Sequence, residues 1–167
     1  RLYDFGHQKI GFLNVHQSFN YGYQRKNAYE KFHKNKNIKL YPNYYQESLD
    51  HTTSTGIQLT KKLLDLKDPP TAIICSLDKY FIGCLQECQK RALSIPKEIS
   101  VVGYNDQDNY LSSQNVTYIS HPLAEMGKMA VKMLEQMDLG EKPENLSKLI
   151  KPILNKGRSD GKVSKVS

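Results

Sequence analysis

An α/β fold on a doubly wound, Rossmann-like parallel sheet is what this sequence predicts, and two observations predict it. Short apolar runs of strand length recur along the chain (KIGFLNV, TAIIC, ISVVG, VTYIS), and stretches with apolar residues at helical spacing separate them. Parallel strands need crossover helices, and those helices must bury their apolar stripes, so the alternation implies a sheet covered on both faces. Right-handed crossovers then wind it in two directions. A chain of 167 residues, 38% hydrophobic, is large enough for one globular core.

The first strand is Lys9 to Val15, after a turn containing Gly6. From Arg25 the spacing of Ala28, Tyr29 and Phe32 gives a helical stripe, and Ile38 to Tyr41 reads as a second strand before Pro42. Thr52 to Ser54 supply capping hydroxyls for a helix carrying Ile57, Leu59, Leu63, Leu64 and Leu66, which Pro69 and Pro70 stop. Thr71 to Cys75 is a strand, Lys79 to Arg91 a helix and Ile99 to Gly103 a strand. A polar loop, Asn105 to Asn115, leads to a strand over Val116 to Ser120. Pro122 opens a helix through Asp138 whose stripe of Leu123, Met126, Ala130, Met133, Leu134 and Met137 reads as a core face. Leu149 to Leu154 is a last strand, and the residues after Arg158 read as frayed. In a sheet of this kind ligands bind beyond the carboxyl ends of the strands, so the loops to watch begin near Asn14, Tyr41, Ser76 and Tyr104.

Composition excludes several function classes. No run of about 18 apolar residues is present, and the first residues lack the pattern of a secretion signal, so no membrane partner is expected. Cys75, Cys84 and Cys88 include no CxxC pair, which argues for reduced thiols rather than a disulfide framework or zinc site; Cys84 and Cys88, four apart on a helix, read as core. The net charge of +7 is spread along the chain, with mild clustering at Lys31 to Lys39 and in the tail, and reads as solvated surface. GxGxxG, P-loop and GxSxG motifs are absent, and the five histidines are scattered with no HExxH, so no cofactor, metal or catalytic residue is expected.

The stretch PPTAIICSLDKYFIGCLQECQKRALSIPKEISVVGYND, followed by VTYISHPLAEMGKMAVKML, resembles the core pattern of the LacI/GalR family of transcription regulators. GHQKIGFL with Arg25, Ala28 and Tyr29 upstream, and KPILNKGRS downstream, extend the resemblance over nearly the whole chain. It implies the fold of a periplasmic-binding-protein type I subdomain. Residues 1–120 with 151–160 would form the second effector-binding subdomain, 121–150 would cross into the first as helix and loop, and 161–167 would be a tail. The first subdomain and the DNA-binding head would lie outside this stretch, leaving the Leu/Met helix without the sheet it packs on and its apolar face in search of a partner. Function would be that of a cytoplasmic sugar-responsive regulator, in the main a repressor. Its partners would be a carbohydrate effector, operator DNA through the head alone, and a second copy of itself, paired through Lys79 to Arg91 and the loop around Tyr110.

The resemblance also supplies site residues. Arg25 corresponds to the family's effector-contacting arginine, whose guanidinium can clamp two oxygens. Asn105 stands at the first acidic position of the family's GyDD and offers a donor as well as an acceptor; Asp106 matches the second. Asp78 is retained from the family's Asn-Asp pair, where Leu77 replaces the asparagine, and the same carboxylate can serve as a helix cap. The family's stacking aromatic falls near His51, with Tyr21, Tyr23, Tyr44 and Tyr45 as substitutes, and Ser18 and Tyr21 lie in the loop after the first strand. Two readings compete with a regulator. A transport-type solute-binding protein shares the architecture but fits ISVVGYND and SHPLAEMGKMAV less closely, and a flavodoxin-like enzyme lacks its phosphate-binding motifs.

Overall fold

The computed structural model of the chain describes residues 1–105 and 110–163. Six strands form one sheet: β1 (Ile10–Val15), β2 (Tyr45–Ser48), β3 (Ala72–Cys75), β4 (Ser100–Tyr104), β5 (Tyr118–Ser120) and β6 (Ile153–Asn155), in the order β2-β1-β3-β4-β5-β6. The first five are parallel, and β6 runs antiparallel to β5. Between them lie α1 (Asn20–Lys36), α2 (Thr53–Leu64), α3 (Asp78–Lys90), the short α4 (Tyr110–Ser113) and α5 (Leu123–Asp138). The predicted α/β sheet is therefore the observed one, and its winding reverses between β1 and β3.

Side chains alternate across β1 as strand geometry requires. Leu13 and Val15 enter the larger core with Leu59 and Leu63 of α2 and Tyr80, Phe81, Cys84 and Cys88 of α3, while Ile10 and Phe12 join Leu2, Tyr29, Ala72 and Val102 on the face that α1 covers. The expectation that Cys84 and Cys88 are core residues holds, since both are fully buried. The helices α2 and α3 meet backbone to backbone through two glycines. A Cβ on Gly83 would sit 2.4 Å from the Thr53 carbonyl oxygen, and one on Gly56 would sit 2.7 Å from the Tyr80 Cα. As predicted, Thr52 caps α2, its hydroxyl accepting from the Thr55 N–H.

Five expectations are corrected. The second strand is Tyr45–Ser48, not Ile38 to Tyr41, which leads into a 3₁₀ turn at Pro42–Tyr44. An edge strand bonded on one side only is half-exposed throughout, so YQES carries no apolar run to betray it. The helix α1 begins at Asn20, five residues before Arg25; no side chain caps it, and its buried positions are Gly22, Tyr29 and His33, with Ala28 exposed. The strand expected over Leu149 to Leu154 starts only at Ile153, and Leu149 is fully exposed.

A fourth correction concerns the residues after Arg158. Ser159 and Asp160 are buried, and Asp160 accepts hydrogen bonds from the Thr117 hydroxyl and the Arg1 guanidinium. The Ser159 hydroxyl donates to the Val101 carbonyl (2.6 Å), and the Val101 N–H donates to Ser159 O (2.8 Å). Further along, the Val163 N–H donates to the carbonyl of Phe5 (2.9 Å). The segment is sewn between β4 and the N-terminal turn by polar bonds, which hydrophobic patterning does not register. That turn closes as a helix C-terminus does: Gly6 takes φ +92°, its N–H donates to Tyr3 O, and the His7 N–H donates to Leu2 O.

The helix α5 has no buried residue. Its apolar stripe, read as a core face, is open along its length, with Leu123, Leu134 and Met137 all exposed. No helix of the described residues is long and apolar enough to cross a membrane.

Candidate functional site

The reversal of winding between β1 and β3 opens a crevice beyond their carboxyl ends, the place where sheets of this kind take ligands. Its floor is made by the last residues of β1 and by Ser76, which follows β3. Val15 N–H donates to the Ser76 hydroxyl (3.2 Å), tying the two strand ends together. Asn14 is wholly buried below them and donates through Nδ2 to Gly22 O (2.9 Å) and the Tyr45 hydroxyl (3.0 Å). Tyr45 passes the chain on by donating to Glu47 (2.8 Å); burial, with the adjoining Glu47 carboxylate, pushes its hydroxyl well above the usual phenol range, so it acts as a neutral donor.

Arg25 projects from the second turn of α1 over this floor. Its Nη1 donates to the Ser76 carbonyl (3.1 Å), and its guanidinium carbon lies 4.0 Å from the Tyr104 ring centroid and 5.2 Å from that of Tyr21. Tyr21 in turn stacks on Phe19 (5.6 Å), and Phe19 contacts the His51 ring (5.3 Å). Arg25, Tyr21 and His51 are thus brought together through Phe19, a residue that sequence reading did not name.

The remaining expected residues sit at the rim or have local duties. Asn105 directly follows β4 in the left-handed region (φ +66°), which asparagine tolerates better than most residues, and its N–H donates to Ile119 O (2.7 Å). Asp106 lies outside the described residues. Asp78 is the first residue of α3, not its N-cap, which is Leu77; the carboxylate is mostly buried and accepts from the Lys79 N–H (2.7 Å). Ser18 is exposed and bonded to His16 Nδ1 (2.9 Å). Among the alternatives to His51, Tyr44 is excluded because it is buried and donates to Asp68 O, Tyr45 is committed to Asn14 and Glu47, and Tyr21 alone reaches Arg25. His51 Nε2 is buried without a hydrogen-bond partner among the described residues.

Sequence reasoning missed Tyr104 as a contact, although it marked the loop that begins there. The signal was present: an aromatic at the end of a buried strand, one residue before the predicted ligand-facing Asn105. A concavity of about 400 Å³ lies beside the crevice, over the face of β3 and β4. Its lining is mainly apolar (Ile10, Phe12, Ile74, Val102), with Arg1, Arg25, Ser76, Tyr104 and Thr117 among its polar residues. An apolar trough has few groups to orient a hydroxylated molecule, whereas the crevice above it offers a planar cation, a carbonyl and aromatic faces. Among the described residues no group of three or more metal-ligating side chains gathers.

Comparison with known proteins identifies the fold and family. The model of the periplasmic binding protein-like domain matches residues 1–159. The chain is 27% identical over 150 residues to the transcriptional repressor CytR of Escherichia coli (89% of this chain, 44% of the relative). It is 34% identical over 137 residues to the ribose operon repressor of Haemophilus influenzae (81% of this chain, 41% of the relative). It thus spans less than half the length of these curated relatives. Among solved structures, a regulatory protein of the LacI family from Chloroflexus aggregans superposes with a TM-score of 0.86 at 25% identity, covering 96% of this chain and 58% of that one. A LacI-family regulator from Bifidobacterium animalis shares the fold at a TM-score of 0.86 and 21% identity. The chain belongs to the periplasmic binding protein-like domain family, in the form found in LacI-family transcription regulators.

Proposed function

We propose that this chain is the effector-binding portion of a cytoplasmic transcription repressor, and that its effector is a small hydroxyl-rich molecule of the carbohydrate or nucleoside class. The observation that carries the reading is the placement of Arg25. Its guanidinium is held over the β1/β3 crevice by one carbonyl and two rings, and the Ser76 carbonyl is its one hydrogen-bond acceptor among the described residues. The remaining N–H edges of the fork suit a pair of vicinal hydroxyls, and the Tyr21 and His51 rings suit the carbon face of a sugar. Asn105, directly after β4, has both a donor and an acceptor to offer. Asp78 and Ser18 contribute at the edges of the same crevice.

Residues 1–120 and 151–160 act as one effector-binding subdomain, with 121–150 reaching across to the other. The effector shifts the balance between two arrangements of these parts, and in a homodimer that shift alters affinity for operator DNA, which is contacted by a segment outside this chain. No reaction is catalysed.

The reading is tested by calorimetry on the protein with a panel of mono- and disaccharides, sugar phosphates, nucleosides and purines, repeated on Arg25→Ala and Asn105→Ala. Losing a charge-assisted hydrogen-bonding fork weakens binding about ten- to a hundredfold. Silence of both substitutions on a molecule that does bind would remove the crevice as the site.

A further inference from the structure

Arg25 belongs to a run of contacts among four side chains drawn from three parts of the chain. Tyr21 and Arg25 come from α1, Tyr104 from the end of β4, and His121 from the first position past β5. The guanidinium lies 4.0 Å from the Tyr104 centroid, and the His121 ring packs against that tyrosine in a T-shaped contact (5.3 Å, 75° between planes). The proposed reading counts Tyr104 as one of the two rings that hold Arg25, but it says nothing of what fixes Tyr104 and gives no role to His121.

We infer that Tyr104 is the positioning residue that holds Arg25 for its ligand, and that His121 makes this positioning depend on the path of the β5–α5 crossover. This rests on the reading of Arg25 as a ligand contact. A cation lying over a ring face is constrained in plane and height, while its N–H edges remain free for acceptors in that plane. Tyr104 is in turn fixed from two directions: its backbone is paired with Ile119 in the sheet, and its ring is flanked by His121. His121 is exposed and stands immediately before Pro122, where the chain leaves the sheet for α5. Any rotation of α5 against the sheet moves His121 first, withdraws one wall of the Tyr104 ring and loosens the platform under the guanidinium. By reciprocity, a ligand that fixes Arg25 favours the crossover geometry that keeps the stack closed.

The experiment uses Tyr104→Phe, Tyr104→Leu and His121→Ala, with circular dichroism to confirm the fold. The Arg25 Nε–H resonance, shifted by the ring beneath it, is read by NMR without ligand; affinities for D-ribose, D-galactose, cytidine and adenosine are read by calorimetry alongside Arg25→Ala. The expected result is that Tyr104→Phe keeps the resonance and binds within about twofold of wild type, because the ring face remains. Tyr104→Leu releases the resonance and weakens binding about three- to thirtyfold. His121→Ala moves the resonance partway and weakens binding less. An Arg25 resonance indifferent to Tyr104→Leu or to His121→Ala overturns the inference. So does undiminished affinity in Tyr104→Leu for a probe that Arg25→Ala loses, and in that case the reading of Arg25 survives. If none of the four probes binds wild type, or Arg25→Ala binds like wild type, the ligand role of Arg25 falls and the inference falls with it.

Discussion

Replacing Asp160 by alanine tests how the C-terminal segment is held, because this one carboxylate ties three distant parts of the chain. Its side chain is fully buried, accepting from both Nε and Nη2 of Arg1 and from the Thr117 hydroxyl, whose oxygen also receives the Gly157 N–H (2.9 Å). Hydrogen bonds to a charged group contribute about 1.5–3 kcal/mol, but those sharing one acceptor do not add. Two terms reduce the loss: the desolvation cost of the buried carboxylate disappears with it, and Arg1, 26% exposed, can turn to water. One adds to it, since the buried Thr117 hydroxyl is left without its acceptor, at about 1–3 kcal/mol. The balance is a destabilisation of about 2–3 kcal/mol. For a chain of this size that corresponds to a fall in Tm of about 5–10 °C. Urea denaturation followed by circular dichroism at neutral pH measures it, with Asp160→Asn as the smaller perturbation because an acceptor for Thr117 remains. A loss under about 0.5 kcal/mol, the level of an ordinary surface substitution, would show that the segment is not held by this clasp.

Further expectations come from the packing. Gly83→Ala places a methyl against the Thr53 carbonyl and should cost at least about 2 kcal/mol, whereas Gly127→Ala, where a Cβ meets nothing within 4 Å, should stabilise α5 by up to about 1 kcal/mol; equal effects in thermal denaturation would refute the α2–α3 contact. His7 is buried between the Thr71 hydroxyl and the Gly161 carbonyl, and burial holds its imidazole below the usual 6.5 against smaller opposing effects of the Gly161 carbonyl and Asp160. The unfolded chain then binds the proton more readily, so stability is full above the unfolded value and is lost as pH falls below 6.5, by at most about 1.4 kcal/mol per unit. His7→Gln should flatten that part of a stability profile, and an unchanged profile would assign the acid sensitivity elsewhere. The Cys84 thiol is raised by its contact with Cys75, and Cys88 by its contact with Cys84 and by burial, so both should react with a thiol reagent only as fast as the protein unfolds.

The parts of the fold legible in the sequence are those whose stabilisation is apolar and two-sided. The strands β1, β3 and β4 are buried on both faces and read directly as KIGFLNV, TAIIC and ISVVG. The strand β2 is an edge, so the apolar decoy Ile38 to Tyr41 displaced it by several residues. The segment around Asp160 escaped because hydrogen bonds between residues some forty to a hundred and sixty positions apart leave no local pattern. The Leu/Met stripe of α5 has the spacing of a core helix, yet periodicity records only which face is apolar and not whether anything covers it. At the site, Arg25, Tyr21 and His51 were reachable through the family pattern. Tyr104 left a signal as an aromatic at the end of a buried strand, whereas Phe19 left none, because its role lies in ring contacts made across elements.

The central claim is that the crevice at the β1/β3 reversal, governed by Arg25, receives the effector. Amide chemical-shift mapping by NMR, with D-ribose, D-galactose, cytidine and adenosine each added to the 15N-labelled protein, tests it most directly. One of these should perturb Phe19, Tyr21, Arg25, Ser76, Leu77 and Asn105 together, and Arg25→Ala should erase the pattern. Perturbations confined to Ile10, Ile74 and Val102 on the apolar sheet face, or their absence with all four molecules, would contradict it.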